Sequence, residues 1–217
     1  YEMLRSLVGS EMCIRDSSVL RLNRHLPAAG NAWGAGMTIL AGDHLITHTQ
    51  IYSNVAGALA LGANAMGGGV YLAAGSTQFI NCSIHHNGAH GPSATGFGGG
   101  LALWGGGAPT LSHCEVYDNL AFGLNRAYGG GVDIDNTSAV IQAGTFIHDN
   151  RAETPPAPGS RGYGGGVSIG SWGAVPVPVI RESRVMTNTC LAPECIGAGI
   201  AIADDSATMA RIEDTLI

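Results

Sequence analysis

Apolar residues alternate with other residues in short stretches that each follow a glycine cluster. The pattern Gly-x-Gly, then apolar-x-apolar, recurs at 34–39, 67–72, 98–103, 129–134, 164–169 and 197–202. Alternation with a period of two is typical of β-strands, and copies spaced 31 to 35 residues apart are typical of repeat proteins. We therefore predict six repeats, each with a strand whose two apolar residues point into a shared interior.

A second pattern, apolar-x-x-Asn, follows the glycine pattern in each of the first five repeats. Its asparagines are Asn54, Asn87, Asn119, Asn150 and Asn188. Asn tolerates the left-handed turn conformation, and its amide can bond to an asparagine one repeat away. We interpret these five residues as structural.

Each repeat contains two further apolar positions that predict two more strands. The first set is Ile46, Phe79, Leu111 and Ile180, with Ile141 shifted by one position; the second is Ile51, Ile84, Val116, Ile147 and Val185. A single strand cannot bury its apolar face alone, so strands of successive repeats must stack. The predicted fold class is all-β, a coil of parallel strands with about six rungs.

The two boxes resemble those of right-handed parallel β-helix proteins of the pectin-lyase-like class. Among these, the chain is most similar to the repeat of polymorphic outer-membrane proteins, which carries a Gly-Gly-apolar box and an aromatic-or-aliphatic-x-x-Asn box. Residues 79–87 match one such unit nearly letter for letter. The resemblance covers 34–217, and implies a right-handed β-helix and a cell-surface role as an adhesin.

Three segments follow from these patterns. Residues 1–17 carry neither box and resemble the translated read-through of a sequencing adapter, although a short capping helix is the alternative. Residues 18–33 are predicted to be a lead-in that caps the first rung. Residues 34–217 are the repeat domain, and the last repeat stops before its Asn, which predicts a fragment truncated in mid-rung.

Composition narrows the possible partners. The chain has no Lys, ten Arg, 12% charged residues and a net charge of −6, so no basic stripe exists for a nucleic acid. No run of 18 apolar residues is present to span a membrane as a helix.

Cys190 and Cys195 bracket a short loop and predict a disulfide in an exported protein. Cys82 and Cys114 share an interior position and are predicted to stay reduced.

Asp133 and Asp135 are the weak catalytic candidates. They face outward on one predicted strand, with Trp104 one rung and Tyr71 two rungs away as weak candidates for ligand platforms. Paired carboxylates beside aromatic rings suit polysaccharide cleavage, by acid/base chemistry or by a bound Ca²⁺. A basic residue is missing beside them, which favours a solvated surface instead.

Other polar residues give no stronger site. The doublet Asp204–Asp205 ends a strand, where Asp is a common turn residue. Five of the eight histidines, His48, His85, His86, His113 and His148, fall at outward or turn positions. They lack a metal-ligand spacing, so we predict no metal and no cofactor, except Ca²⁺ if the chain is a lyase.

Two functions remain open. The first is a non-catalytic scaffold for adhesion or recognition, outside the cell or on an outer membrane, binding a host or neighbouring-cell surface component or a polysaccharide. Its contacts would come from the variable corner loops at 55–66, 88–97, 120–128, 151–163 and 189–196. The alternative is a polysaccharide lyase or glycoside hydrolase of the β-helix class.

Overall fold

The structure, a computed structural model, describes residues 18–170, 177–202 and 209–217. Within these ranges the chain forms five parallel sheets of six strands each and no helix. Each turn of the coil adds one strand to every sheet, in a constant order. The predicted all-β parallel coil of about six rungs is confirmed.

Three sheets correspond to the three predicted strands. The Gly-box sheet contains Met37–Ile39, Val70–Leu72, Leu101–Trp104, Val132–Asp135, Val167–Gly170 and Ile200–Ile202. The second-strand sheet contains Leu45–Thr47, Gln78–Ile80, Thr110–Ser112, Val140–Gln142, Val179–Arg181 and Arg211–Glu213. The Asn-box sheet contains Val19–Arg21, Gln50–Tyr52, Ser83–His85, Glu115–Tyr117, Phe146–His148 and Arg184–Met186.

The two remaining sheets build an arm between the Asn box and the next Gly box. The first arm sheet contains Arg24–His25, Val55–Gly57, Gly88–Gly91, Leu120–Gly123, Arg151–Glu153 and Thr189–Leu191. The second arm sheet contains Ala32–Trp33, Ala65–Met66, Thr95–Phe97, Arg126–Tyr128, Arg161–Tyr163 and Glu194–Ile196. The stretches predicted as corner loops are therefore mostly strands, and only the tips between these two sheets are loops.

Small side chains explain how closely the two arm sheets pack and why the hydrophobic pattern did not predict their strands. Its inward column in the first arm sheet includes Ala56, Ala89, Ala121 and Ala152, all buried. At Gly96 a Cβ would lie 2.3 Å from the Phe122 carbonyl oxygen and 2.8 Å from the Ala89 carbonyl oxygen, so no side chain fits at this position. Alanine and glycine bury little apolar area, and hence the hydrophobic pattern carries no strand signal there.

The predicted interior columns form the core. Phe79, Leu111, Ile141 and Ile180 are 0% exposed, and Ile141 aligns with Leu111, as the one-residue shift requires. The extra residue is absorbed at Ala143 and Gly144, both with positive φ. Among the predicted inward residues Ile202 is 46% exposed, because it lies in the last strand of its sheet.

Residues 18–33 contribute strands to three of the five sheets, so this segment is part of the coil. Val19–Arg21, Arg24–His25 and Ala32–Trp33 each pair in parallel with the following turn. Leu20 packs against the core, and Asn23 takes the place of the box asparagine. Residues 20–23 match the apolar-x-x-Asn pattern, which indicates an additional Asn box that the sequence prediction did not include.

The box asparagines form a continuous hydrogen-bonded ladder inside the coil. Asn119 donates from its Nδ2 to Asn150 Oδ1 at 2.9 Å and to the Ile84 carbonyl at 2.9 Å. Its Oδ1 accepts from the backbone N–H and the Nδ2 of Asn87, both at 3.0 Å. All of its side-chain hydrogen-bonding positions facing neighbouring rungs are thus used.

The turn at this box is made by a different residue from the one predicted. Positive φ values of 50° to 54° occur at the residue before each asparagine, namely Ser53, His86, Asp118, Asp149 and Thr187. That residue turns the chain, and the turn directs the following asparagine into the interior. The predicted left-handed conformation of the asparagine itself is therefore wrong.

Asparagine and glycine boxes meet in space. A Cβ on Gly100 would lie 3.1 Å from Cγ of Asn119 and 2.7 Å from the Gly131 carbonyl oxygen. Only glycine leaves room there for both the amide and the next rung. The two boxes therefore recur together because each rung needs both to close.

We expect Asn119→Leu to lower the free energy of unfolding by about 1–3 kcal/mol, because the four hydrogen bonds of its side chain to Asn87, Ile84 and Asn150 are lost. Thermal and urea unfolding of the purified chain would measure the loss.

Thr110→Leu is the matched control, since Thr110 lies on the same rung and its side chain is on the outer face of the second-strand sheet. It should change stability by no more than about 0.5 kcal/mol. Equal midpoints for the wild type and Asn119→Leu would show that the ladder does not stabilise the coil.

Candidate functional site

Asp133 and Asp135 lie on the outer face of the Gly-box sheet, as predicted, yet both are only 3% exposed. The predicted solvated surface is wrong for these two residues. The reason lies in a sheet that the sequence did not reveal. The residue before each Gly box belongs to the second arm sheet, and the side chains of Met66, Phe97 and Tyr128 pack against the outer face of the Gly-box sheet.

An aromatic stack provides this cover. Phe97, Tyr128 and Tyr163 lie ring on ring at 5.1 and 4.5 Å between centroids. Phe97 also meets Trp104 edge to face at 5.3 Å, and Trp104 donates from Nε1 to Asp133 Oδ2 at 3.0 Å. The carboxyl group thus ends in a packed aromatic cluster and not in an open cleft.

This environment changes the acidity of the buried groups. Burial, and then the charge of Asp135, raise the pKa of Asp133 to about 8, while Trp104 and Ser168 act in the opposite direction. Burial also raises the pKa of the Tyr128 hydroxyl to about 12. At neutral pH Asp133 is therefore mostly protonated and uncharged.

Trp104 and Tyr71, the two candidate ligand platforms, do not form a pair of accessible rings beside the two carboxyl groups. Trp104 is half-buried and is held by Phe97 and Asp133. Tyr71 stacks on Trp33 at 6.0 Å, at the other end of the sheet face. The doublet Asp204–Asp205 lies outside the described residues.

A different surface carries a regular row of partly exposed side chains. On the outer face of the Asn-box sheet the rings of Tyr52, His85, Tyr117 and His148 form one continuous stack, which we call the Tyr–His column. Successive centroids are 4.9, 4.6 and 5.2 Å apart, and the rings are within 13° of parallel. All four side chains are partly exposed.

Charged and polar groups border this column. Arg21 donates to the Tyr52 hydroxyl at 3.0 Å. His148 lies between two carboxylates, with Nε2 3.2 Å from Glu115 Oε1 and Nδ1 2.7 Å from Asp149 Oδ2. Because the ring faces cover one another, the column presents its edges, with hydroxyl and imidazole groups, to the solvent.

The column was visible in the sequence as a repeated position. Tyr52, His85, Tyr117 and His148 each stand two residues before a box asparagine. In-register parallel pairing places such equivalent residues directly over one another. No cluster of three or more His, Cys, Asp or Glu side chains that could hold a metal ion occurs in the part of the chain that the structure describes.

Comparison with known families agrees with this architecture. A family model described as "Right handed beta helix region" matches residues 29–215, which is most of the chain. The chain belongs to the right-handed β-helix family. No curated protein and no solved structure gives a significant match. No described helix is long and apolar enough to cross a membrane.

The four cysteines that the structure describes occupy two distinct environments. Cys190 and Cys195 form a disulfide with their Cα atoms 5.9 Å apart. They continue the inward columns of the two arm sheets, in register with Ala152 and Gly162, so the bond joins these sheets across the arm. Cys82 and Cys114 are buried free thiols in the core.

We expect Asp133→Asn to stabilise the β-helix at pH 8 by about 2–5 kcal/mol and to have little effect at pH 4. Between the ordinary pKa of 3.8 and the folded value of about 8, the folded chain retains a proton that the unfolded chain loses. The free energy of unfolding of the wild type should therefore fall over this window. Asparagine carries no charge and keeps an oxygen for Trp104.

Unfolding midpoints at pH 4, 6 and 8 measure this effect. Asp118→Asn, at an aspartate whose side chain is 47% exposed, serves as the control and should not reproduce it. If Asp133→Asn followed the wild-type pH profile, Asp133 would not be protonated in the folded chain.

For the cysteines, we expect peptide mapping of exported material under non-reducing conditions to recover Cys190 linked to Cys195. Cys82 and Cys114 should be recovered as free thiols, since each is 2% exposed. Each thiol also donates to a backbone carbonyl of the preceding rung, at 3.4 Å to Ile46 and 3.3 Å to Phe79. A Cys82–Cys114 crosslink in native protein would contradict this.

Proposed function

We propose that this β-helix is a non-catalytic recognition scaffold, secreted or displayed on the cell surface, with the Tyr–His column as its contact surface. Its partner would be a polysaccharide or a component of a host or neighbouring-cell surface. The observation that carries the proposal is the four-ring stack on a partly exposed sheet face. The Cys190–Cys195 disulfide is consistent with an exported protein.

The geometry of the column favours binding. Its rings are fixed by the parallel backbone and by mutual stacking, so little side-chain freedom is lost when a partner binds. Tyrosine combines a large rigid contact area with a polar tip, which suits recognition surfaces. Hydroxyl and imidazole edges recur at the spacing of one rung, roughly 4.8 Å, which favours an extended partner with repeated polar groups.

The surroundings of the column define the polarity of such a partner. Glu115, Asp118 and Asp149 lie beside it, and each is about half exposed. These carboxylates accept hydrogen bonds from hydroxyl or amino groups and repel anions. A neutral or amino-bearing surface is therefore favoured over a polyanionic one.

The alternative, a polysaccharide lyase or glycoside hydrolase, finds partial support in Asp133. A carboxyl group with a pKa near neutrality suits a proton donor. However, the group is covered by the aromatic stack, and a substrate or Ca²⁺ could reach it only if Trp104 and the stack moved away. This burial favours the scaffold.

We expect Tyr52→Thr combined with Tyr117→Thr to weaken binding by about tenfold or more, as is common for aromatic anchors. The assay measures binding of labelled β-helix to immobilised polysaccharides and to intact cells. The pair Gln78→Thr and Ser112→Thr, on the outer face of the second-strand sheet, is the matched control and should leave binding unchanged.

Two further experiments separate the alternatives. Replacing the arm tip 154–160 with the two-residue tip 124–125 tests the predicted corner loops: a loss confined to this variant would move the contact surface to the arm. Incubation with the polysaccharide panel, with and without Ca²⁺, tests for unsaturated products and new reducing ends. Turnover that disappears in Asp133→Ala or Asp135→Ala would overturn the scaffold proposal.

A further inference from the structure

Two neighbouring histidines make an unusual contact at the centre of the Tyr–His column. The Nδ1 atoms of His85 and His86 lie 2.8 Å apart. The His85 ring is held between Tyr52 and Tyr117, whereas His86 stands edge-on to His85 and Tyr117. His86 occupies the left-handed turn position, with φ 54°, and its side chain is 57% exposed.

The contact is sensitive to the number of protons that the two rings carry. A neutral imidazole has one N–H and one bare nitrogen, so an Nδ1–H on one ring can donate to a bare Nδ1 on the other. One additional proton leaves this hydrogen bond possible. A second additional proton places two N–H donors against each other, and the contact must then break.

The groups around His85 and His86 determine which of the two rings moves when their hydrogen bond breaks. The adjacent strand and its turn contribute Tyr117, Glu115 and Asp118, and the strand on the other side contributes Tyr52, whose hydroxyl is bonded to Arg21. His86 Nε2 lies 3.7 Å from Asp118 Oδ2. In a doubly protonated pair, Asp118 is therefore available as an acceptor for His86.

The same surroundings favour a neutral His85. Burial, followed by the neighbouring His86, lowers the pKa of His85, while Asp118 and Glu115 oppose this shift. The second proton is consequently bound only in acid. The pair is stable at neutral pH and loses its hydrogen bond as the pH falls.

His148 provides an internal contrast in the same column. Both of its nitrogens face carboxylates, Glu115 and Asp149. A protonated His148 donates from both nitrogens and remains stacked on Tyr117. Acid should therefore disturb the column at His85 and His86 and leave it unchanged at His148.

We propose that the His85–His86 pair is a proton-operated switch in the recognition surface, which opens in acid when His86 leaves His85 and turns towards Asp118. This inference deepens the proposed function, on which its consequence for binding depends. A partner bound by the column at neutral pH would be released in acid, while the core of the β-helix stays folded.

NMR titration of the histidine Cε1–H and tyrosine ring resonances, from pH 8 to pH 4.5, tests the switch without any ligand. In the wild type we expect His85 to titrate below an ordinary histidine and the Tyr117 ring signals to shift with it. In His86→Ala, His85 should titrate at higher pH, and Tyr117 should lose the acid step. His148→Gln, the matched control, should retain it.

An ordinary titration of His85 that is the same in the wild type and in His86→Ala would overturn the switch. Circular dichroism at each pH separates opening from unfolding, and loss of the β-sheet signal over the same range would also overturn it.

Binding is then compared at pH 7.5 and pH 5, on the immobilised polysaccharide or the cells to which the wild-type chain binds. We expect a loss of up to about tenfold, the effect of roughly one hydrogen bond, that is absent in His86→Ala. An acid step in the NMR spectra with pH-independent binding would refute the regulatory role. No binding at either pH would refute the proposed function and leave the switch itself standing.

Discussion

The architecture depends on the close contact between the box asparagine and the third glycine of the Gly box. The asparagine amide occupies the interior at a corner, where a lone polar group would be costly to bury. Hydrogen bonds to the neighbouring rungs remove that cost, and the glycine provides the space. Every other feature of a rung, including the strand directions and the columns of side chains, is held in register by this corner.

Exact register has different results on different faces of the coil. Inside, it aligns apolar residues into a core, and within the arm it aligns alanines and glycines so closely that two sheets almost touch. On the Gly-box face it brings Trp104 to Asp133 under an aromatic cover, which excludes water. On the Asn-box face the same register builds an aromatic column that solvent can reach.

The sequence predicted the elements whose residues are both repeated and distinctive. The Gly and Asn boxes and the columns of Phe79 and Ile84 defined three strands per rung correctly. The arm strands were missed because Ala56 and Ala89 carry no hydrophobic signal, and the rung that contains Asn23 was missed because its glycine box is absent. The burial of Asp133 depends on Tyr128 and Phe97 from another sheet, which no local pattern can reveal. The stacking of the Tyr–His column required the register itself.

The asparagine ladder also gives the coil a direction. From Asn23 to Asn54, Asn87, Asn119, Asn150 and Asn188, each Nδ2 donates to the Oδ1 of the next rung. The amide dipoles therefore all point the same way and polarise one another, so the two ends of the ladder are chemically unlike. Two such coils could continue this chain of amides only head to tail. A head-to-tail contact of that type is heterologous, so it propagates into a filament unless its rotation closes a ring.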